Sequence, residues 1–419
     1  MTRVAAWLLF LFAFSVPWEY SLDFGEPFGN VARVLGVALL AVMTLAVLLR
    51  GGLKRLGVVS WLVLALYLYF AASYFWTADA AATLEKMRAY LQVMASVWLV
   101  WEIAEAPADL RRLMRALVAG CGVLAALTAM NYASSSVLGF AQAVVQTRFM
   151  ATGFDPNDVA RFLDFGFPIA MLLFTTEEKW WWRLLGVAYL PLGLLAVLLT
   201  ASRGGFLGAM VALLGSAMVL VMWRPRGASL VFVGLAMTAV VLWLFVPMAA
   251  IERLATIPAA FAAGDLNERA SLWAAGWRAF ARAPWFGYGA GSYATAAGLA
   301  QADTAHNTLI AVLVMGGVVG GLLFTAIVAA VGWSVAQTRG LLRIALGTVL
   351  AVWAVTSMVG SLEENRMTWL LFGLMALAGR LAAEDTLGLQ RLFAGTAGRW
   401  QEERRADSSE RSGEIAVGG

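Results

Sequence analysis

Residues 307–332 read NTLIAVLVMGGVVGGLLFTAIVAAVG, a run without a single charged side chain that follows directly on His306. A helix advances about 1.5 Å per residue, so roughly 20 apolar residues cross a hydrocarbon core about 30 Å thick. This run is long enough. Its backbone N–H and C=O groups find no partners in lipid unless they bond to one another within a helix. The stretch therefore predicts a transmembrane helix that begins at a polar, histidine-bearing mouth. The same ruler moved outward predicts further spans at 4–20, 30–49, 56–76, 88–104, 112–132, 159–176, 182–200, 204–222, 228–249, 341–361 and 366–383. The fold expected is an all-α polytopic membrane protein of about 12 transmembrane helices.

Composition agrees. Hydrophobic residues make up 61% of the 419 and charged ones 13%, whereas a soluble domain carries roughly 25% charge. A water-soluble fold is thereby excluded. Eighteen Trp and 23 Phe suit interfaces and lipid tails. Cys121 and His306 are the only cysteine and histidine, which rules out a disulfide framework and a zinc site of His and Cys ligands. No metal and no cofactor is expected. The net charge of +4 comes from basic residues in short loops, where they set orientation, so no nucleic-acid partner is expected. Met1-Thr-Arg3 followed by an apolar run lacks a convincing cleavage site and is read as an uncleaved first helix.

An even number of spans puts both termini on one side. Most basic residues then fall in the segments predicted to be cytoplasmic, as the positive-inside tendency requires. Those left outside, including Lys86, Arg148, Arg161, Arg203, Arg253, Arg269 and Arg366, need another explanation. Residues 1–385 are read as the transmembrane domain, with 250–305 a small periplasmic helical segment, and 386–419 as a polar cytoplasmic tail expected to be disordered. Within 250–305, Asp265-Leu-Asn-Glu268 resembles a capping box. Leu272, Trp273, Gly276, Trp277 and Phe280 follow at helical spacing and predict an amphipathic helix lying on the bilayer. Pro284 ends it, and the Gly-rich stretch Trp285–Tyr293 can pass close to a ligand or another helix. Asp155-Pro-Asn-Asp158 reads as a helix start, and Gly316, Gly317, Gly320 and Gly321 as small-residue packing positions.

Four outer residues are suited to chemistry. His306 precedes a helix N-terminus, whose partial positive charge disfavours the imidazolium and keeps the ring available as a base. The alternative is an ordinary interfacial polar residue. Arg203 lies in a very short turn between two apolar helices, where a charge is costly unless paired or functional. Arg161 stands three residues from both Asp158 and Asp164, so a local ion pair competes with a ligand role. Arg269 opens the amphipathic helix. A guanidinium donates two parallel hydrogen bonds to phosphate and keeps its charge, so several arginines converging would form a pyrophosphate clamp. Glu363-Glu364 is expected to neutralise arginines rather than hold a cation.

Taken in chain order, Gly153-Phe-Asp-Pro-Asn157, Ser202-Arg-Gly204, Asn267-Glu-Arg269 with Trp273, Pro284-Trp-Phe-Gly287-Tyr288-Gly289, and His306-Asn307-Thr-Leu309 resemble the family of O-antigen ligases, O-antigen polymerases and protein O-oligosaccharyltransferases. The resemblance covers about residues 150 to 325. It implies a C-type glycosyltransferase-like fold in the bacterial inner membrane, with the active site facing the periplasm. It further implies metal-independent, inverting transfer of O-antigen from undecaprenyl pyrophosphate to the lipid A core oligosaccharide. His306 would be the base, with Arg203 and Arg269 required for activity. Arg161, Asn307, Asn157, Trp273 and Tyr288 would contact substrate. An O-antigen polymerase is the alternative within the family, and a membrane transporter the alternative outside it.

Overall fold

A computed structural model of the chain describes residues 2–137, 144–145, 148–223, 236, 240, 244–262, 269–300 and 303–394. Among these residues ten helices are long and apolar enough to cross a membrane. The long helices begin with α1 (Thr2–Ser15), α2 (Val31–Arg50), α3 (Val58–Ala72), α4 (Ala80–Ile103) and α5 (Pro107–Val137). A hairpin of β1 (Val144–Val145) and β2 (Arg148–Phe149) follows, then α6 (Pro156–Thr176), α7 (Trp180–Leu199) and α8 (Arg203–Trp223). Short helices come next: α9 (Met248–Ala255), α10 (Ile257–Ala262), α11 (Arg269–Arg282) and α12 (Tyr293–Ala297). The chain closes with α13 (Thr308–Gln337), α14 (Gly340–Ser357), α15 (Arg366–Glu384) and α16 (Thr386–Phe393). The protein is thus an all-α multi-pass membrane protein.

Two of the twelve expected spans are not among the ten. The 88–104 span is the C-terminal part of α4, whose Glu85, Lys86, Arg88 and Glu102 leave it without a long nearly uncharged run. Most of the 228–249 span lies outside the described residues, as does the whole Asp265–Glu268 capping box. The expected disordered tail starts instead with α16. Asp385 caps that helix, Leu389 and Phe393 are buried, and the Arg111 guanidinium lies over the Phe393 ring. Two apolar residues four apart form a stripe the bundle can cover, a signal that overall tail polarity hides.

Helices α6 and α15 are the most enclosed, buried on nearly every face. α6 packs against α7, α8 and α14, and α15 against α4 and α13. Several of the basic residues expected on the cytoplasmic side are engaged with acceptors: Arg115 donates two bonds to Glu177 at 2.7 and 2.6 Å, and Lys54 bonds Glu105 at 2.6 Å.

The polar segments at the His306 end are locked to α13 by an unusual join. Gly317 sits at φ 61°, ψ −161° and breaks α13 in mid-helix. Amides and carbonyls freed there bond to the Gly-rich loop: Tyr288 N to Val314 O (3.0 Å), Gly289 N to Met315 O (2.9 Å) and Val318 N to Pro284 O (2.7 Å). The loop thus approaches a helix, as its glycines foretell. Gly317, expected only as a packing position, is also the residue whose conformation makes the break.

Candidate functional site

Four of the sequence-predicted residues sit at helix beginnings that point to one region. Asp155 caps α6 by accepting from Asn157 N at 2.8 Å, with Pro156 in the first turn, which places Arg161 in the second turn. Ser202 Oγ accepts from Gly205 N at 3.1 Å and caps α8, of which Arg203 is the first residue. Arg269 opens α11. Asn307 caps α13 through Oδ1 and Ile310 N at 3.0 Å, with His306 just outside the cap. Helix N-termini present partial positive charge and free N–H groups, so the guanidiniums and the helix ends attract anions together. Gly205 lets α6 and α8 close on each other, because a Cβ there would collide with that of Ala160, next to Arg161.

His306 is half-buried and holds a left-handed backbone at φ 46°, a conformation most side chains avoid and one found where function demands it. Its loop is pinned on both flanks. Trp273 Nε1 donates to Ala305 O at 3.0 Å, and Asn307 Nδ2 to Met358 O at 3.1 Å. Burial, then the Arg269 and Arg161 guanidiniums, hold the imidazole pKa below its ordinary value, with Asp155 and Asp158 opposing. The neutral ring expected from sequence follows, but the causes resolved are desolvation and two arginines rather than the helix end.

Burial lowers the pKa of Arg269 as well, and Arg161 and Arg203 lower it further while Asp155 raises it. Arg161 is buried, pairs with Asp158 and packs against Gly360, so it makes the local ion pair while facing the cluster. Arg203 donates from Nη2 to Thr256 Oγ1 at 2.6 Å. Two further arginines that sequence reasoning left out of the site belong to the same field. Arg148, on β2, donates to Thr200 O and to Asn157 Oδ1, each at 2.8 Å. Its pKa is pushed down to about 10 by burial, with Arg253 and Arg269 adding to the shift and Asp155 opposing it. Arg253 is lowered by burial and by Arg203. The signal for both was present in the sequence: each is a basic residue on the outer side, where orientation does not require it.

The remaining candidates take other roles. Asn157 Oδ1 accepts from Arg148 and from Ser202 Oγ at 2.8 Å, so the acceptor expected for substrate ties β2 to the α8 cap. Asn307 has both ends of its amide engaged by the cap and by Met358. Tyr288 meets the 77–78 turn and α13 through its backbone, and none of its described contacts reaches His306 or the arginines. On α11 the buried stripe is Ala275, Gly276 and Ala279, while Trp277 is exposed. The small residues win because Gly276 lies against Ile310 and Tyr293. Among the described residues Glu363 and Glu364 pair with no arginine: Glu364 pairs with Lys86, and Arg366 pairs with Glu19. Among the described residues no cluster of His, Cys, Asp and Glu is arranged to hold a metal ion.

Trp273 tests the positioning of the histidine. Trp273→Phe keeps the ring and loses one hydrogen bond, worth about 0.5–1.5 kcal/mol. If the loop positions a reacting group, turnover falls by about 2–10-fold with the thermal midpoint nearly unchanged. Full turnover would show that Ala305 holds its place without the indole.

No curated protein matches the chain significantly. A family model described as O-antigen ligase matches residues 188–325, a segment that runs from α7 into α13 and contains Arg203, Arg253, Arg269, Trp273 and His306. Over that segment the chain is similar to the O-antigen ligase family.

Proposed function

We propose that this protein is an O-antigen ligase that transfers the glycan of undecaprenyl-pyrophosphate-linked O-antigen to the lipid A core oligosaccharide on the periplasmic face of the inner membrane. The observation that carries the reading is the meeting of one neutral imidazole with Arg269 and Arg161, next to Arg203, inside or beside the family-matched segment. Pyrophosphate binds where guanidiniums and helix N-termini converge. His306 takes the proton from an acceptor hydroxyl as its oxygen bonds to the anomeric carbon. The bond from that carbon to the pyrophosphate oxygen breaks, and the arginines stabilise the charge arriving there. Displacement from the face opposite the leaving group inverts the anomeric centre. The linkage is already activated, so no nucleotide enters.

Purified protein in lipid nanodiscs, given lipid-linked O-antigen and lipid A core, is expected to join the two without ATP. A product carrying additional repeat units on one polyprenyl carrier would identify a polymerase, and movement of an unmodified solute a transporter. Arg269→Ala is expected to lower transfer by about 10²–10³-fold, the loss typical of one preorganised donor aimed at developing charge. Full activity in a variant present at normal membrane levels would remove Arg269 from the mechanism.

A further inference from the structure

Beside the arginine cluster lies a cavity of about 350 Å³ with walls of the opposite charge. Asp79, Glu85, Asp303, Glu363 and Glu364 line it, with Lys86 the one cation among its lining residues. Three of these groups are engaged. Asp79 accepts from Ala82 N and from Thr295 Oγ1 at 3.0 and 3.1 Å, and Glu364 pairs with Lys86. Glu363 differs. It is 3% exposed, yet its Oε2 has no hydrogen-bond partner, and neither has the buried hydroxyl of Ser361 on the same wall. Buried polar atoms are nearly always satisfied, so an unpaired acceptor and an unpaired hydroxyl lining one cavity call for a partner that enters it from outside the chain.

Chemistry selects the ligand class. Phosphate is repelled by the carboxylates of Asp79, Glu85, Asp303 and Glu364. Glu363, its pKa pushed up to about 8 by burial and by Glu364, keeps a polar carboxyl that a hydrocarbon leaves unpaired. A hard cation needs six or more oxygens, and no described cluster of acids is arranged for one. A neutral sugar ring offers hydroxyl donors to Glu363, an acceptor to Ser361 and an apolar face to Tyr293 and Met315, which also line the cavity. The cavity volume falls in the range of small-ligand sites.

Two chain segments separate this cavity from the arginines. Ala305 lines the cavity while the next residue, His306, feels Arg269 and Arg161. Gly360 packs on Arg161 while the next residue, Ser361, lines the cavity. In a displacement at the anomeric carbon the attacking hydroxyl approaches opposite the leaving diphosphate, and the base sits between the two seats. We propose that this acidic cavity seats the acceptor sugar, a neutral polyhydroxylated ring held by Glu363 and Ser361; the assignment rests on the transferase reading above. The first sugar of the donor is tied to two phosphates and belongs with the guanidiniums.

The test uses the full chain in nanodiscs, with deacylated core oligosaccharide as the calorimetric probe and lipid A core as acceptor in the transfer assay. Glu363→Gln and Ser361→Ala are expected to weaken oligosaccharide binding and raise the acceptor KM by about tenfold each, the effect of one hydrogen bond to a charged or buried partner. The donor KM and kcat stay as in the native protein. Glu85→Gln at the rim serves as the milder variant should Glu363→Gln lower the melting temperature. A rise in donor KM in place of acceptor KM overturns the assignment, as does unchanged binding in both variants, or loss of native binding on adding EDTA. If oligosaccharide binding responds as expected while no glycan is transferred, the cavity is a sugar site, and the ligase reading falls together with the acceptor role that rests on it.

Discussion

His306→Asn is expected to reduce glycan transfer by roughly 10²–10⁴-fold, the contribution of a positioned general base, while leaving the thermal midpoint close to that of the native protein. Asparagine is the informative replacement because it tolerates the left-handed backbone that His306 adopts at φ 46°, whereas alanine adds backbone strain to the chemical loss. The pH profile carries an independent check. Burial and the Arg269 and Arg161 guanidiniums disfavour the imidazolium, so the base form persists to lower pH than in a free histidine, whose pKa is about 6.5. Activity should therefore fall on the acid side only below that value. Removing a cation that disfavours protonation raises the imidazole pKa. Arg269→Gln must then shift the acid limb of kcat/KM to higher pH as well as lowering its plateau. A limb that stays in place, or an asparagine variant with full activity, would exclude His306 as the base.

How far sequence alone reaches depends on whether a property is local. Apolar run length is local, and it places α1 to α3, α5 to α8 and α13 to α15 within a few residues. Cap chemistry is local too: Asp155-Pro156 starts α6 as expected. Arg203, Arg269 and His306 were legible because each stands where a charged or titratable group has no structural excuse in the chain. The rest is decided between segments. Whether Arg366 meets Glu363 or Glu19 depends on how the short 3₁₀ helix Val16–Ser21, which follows α1, packs against α15, and no spacing rule holds that information. Asn157 looked like a ligand contact because its motif sits at the mouth of the site, and only the approach of β2 and the α8 cap claims its oxygen. The acidic cavity was hidden for the same reason, since its walls come from four places in the chain, from Asp79 to Glu364.

Gly317→Ala is expected to lower stability by about 3 kcal/mol or more, combining a backbone conformation that only glycine adopts freely with an overfilled contact. The combination φ 61°, ψ −161° lies outside the left-handed helical region that asparagine or alanine can visit. A Cβ at this position would also meet the Trp285 carbonyl and come within 2.6 Å of the Phe286 amide. Neither obstacle can move easily. Both belong to a backbone segment fixed by bonds to the same broken helix, through Pro284 O and Tyr288 N. Gly51→Ala is the matched control, because Gly51 has φ 78° with open space around it and should lose only the cost of the positive φ, about 1 kcal/mol. Thermal unfolding in detergent, followed by tryptophan fluorescence, reads both. The larger loss at 317 follows from the close approach of loop and helix, so equal midpoints for the two variants would mean that the loop does not press on α13. The position matters for chemistry because the half of α13 before the break begins at the Asn307 cap, one residue from His306. The join that Gly317 permits therefore sets the direction from which the histidine meets Arg161 and Arg269, and a variant that folds with the break straightened should lose transfer in the same measure as it loses the join.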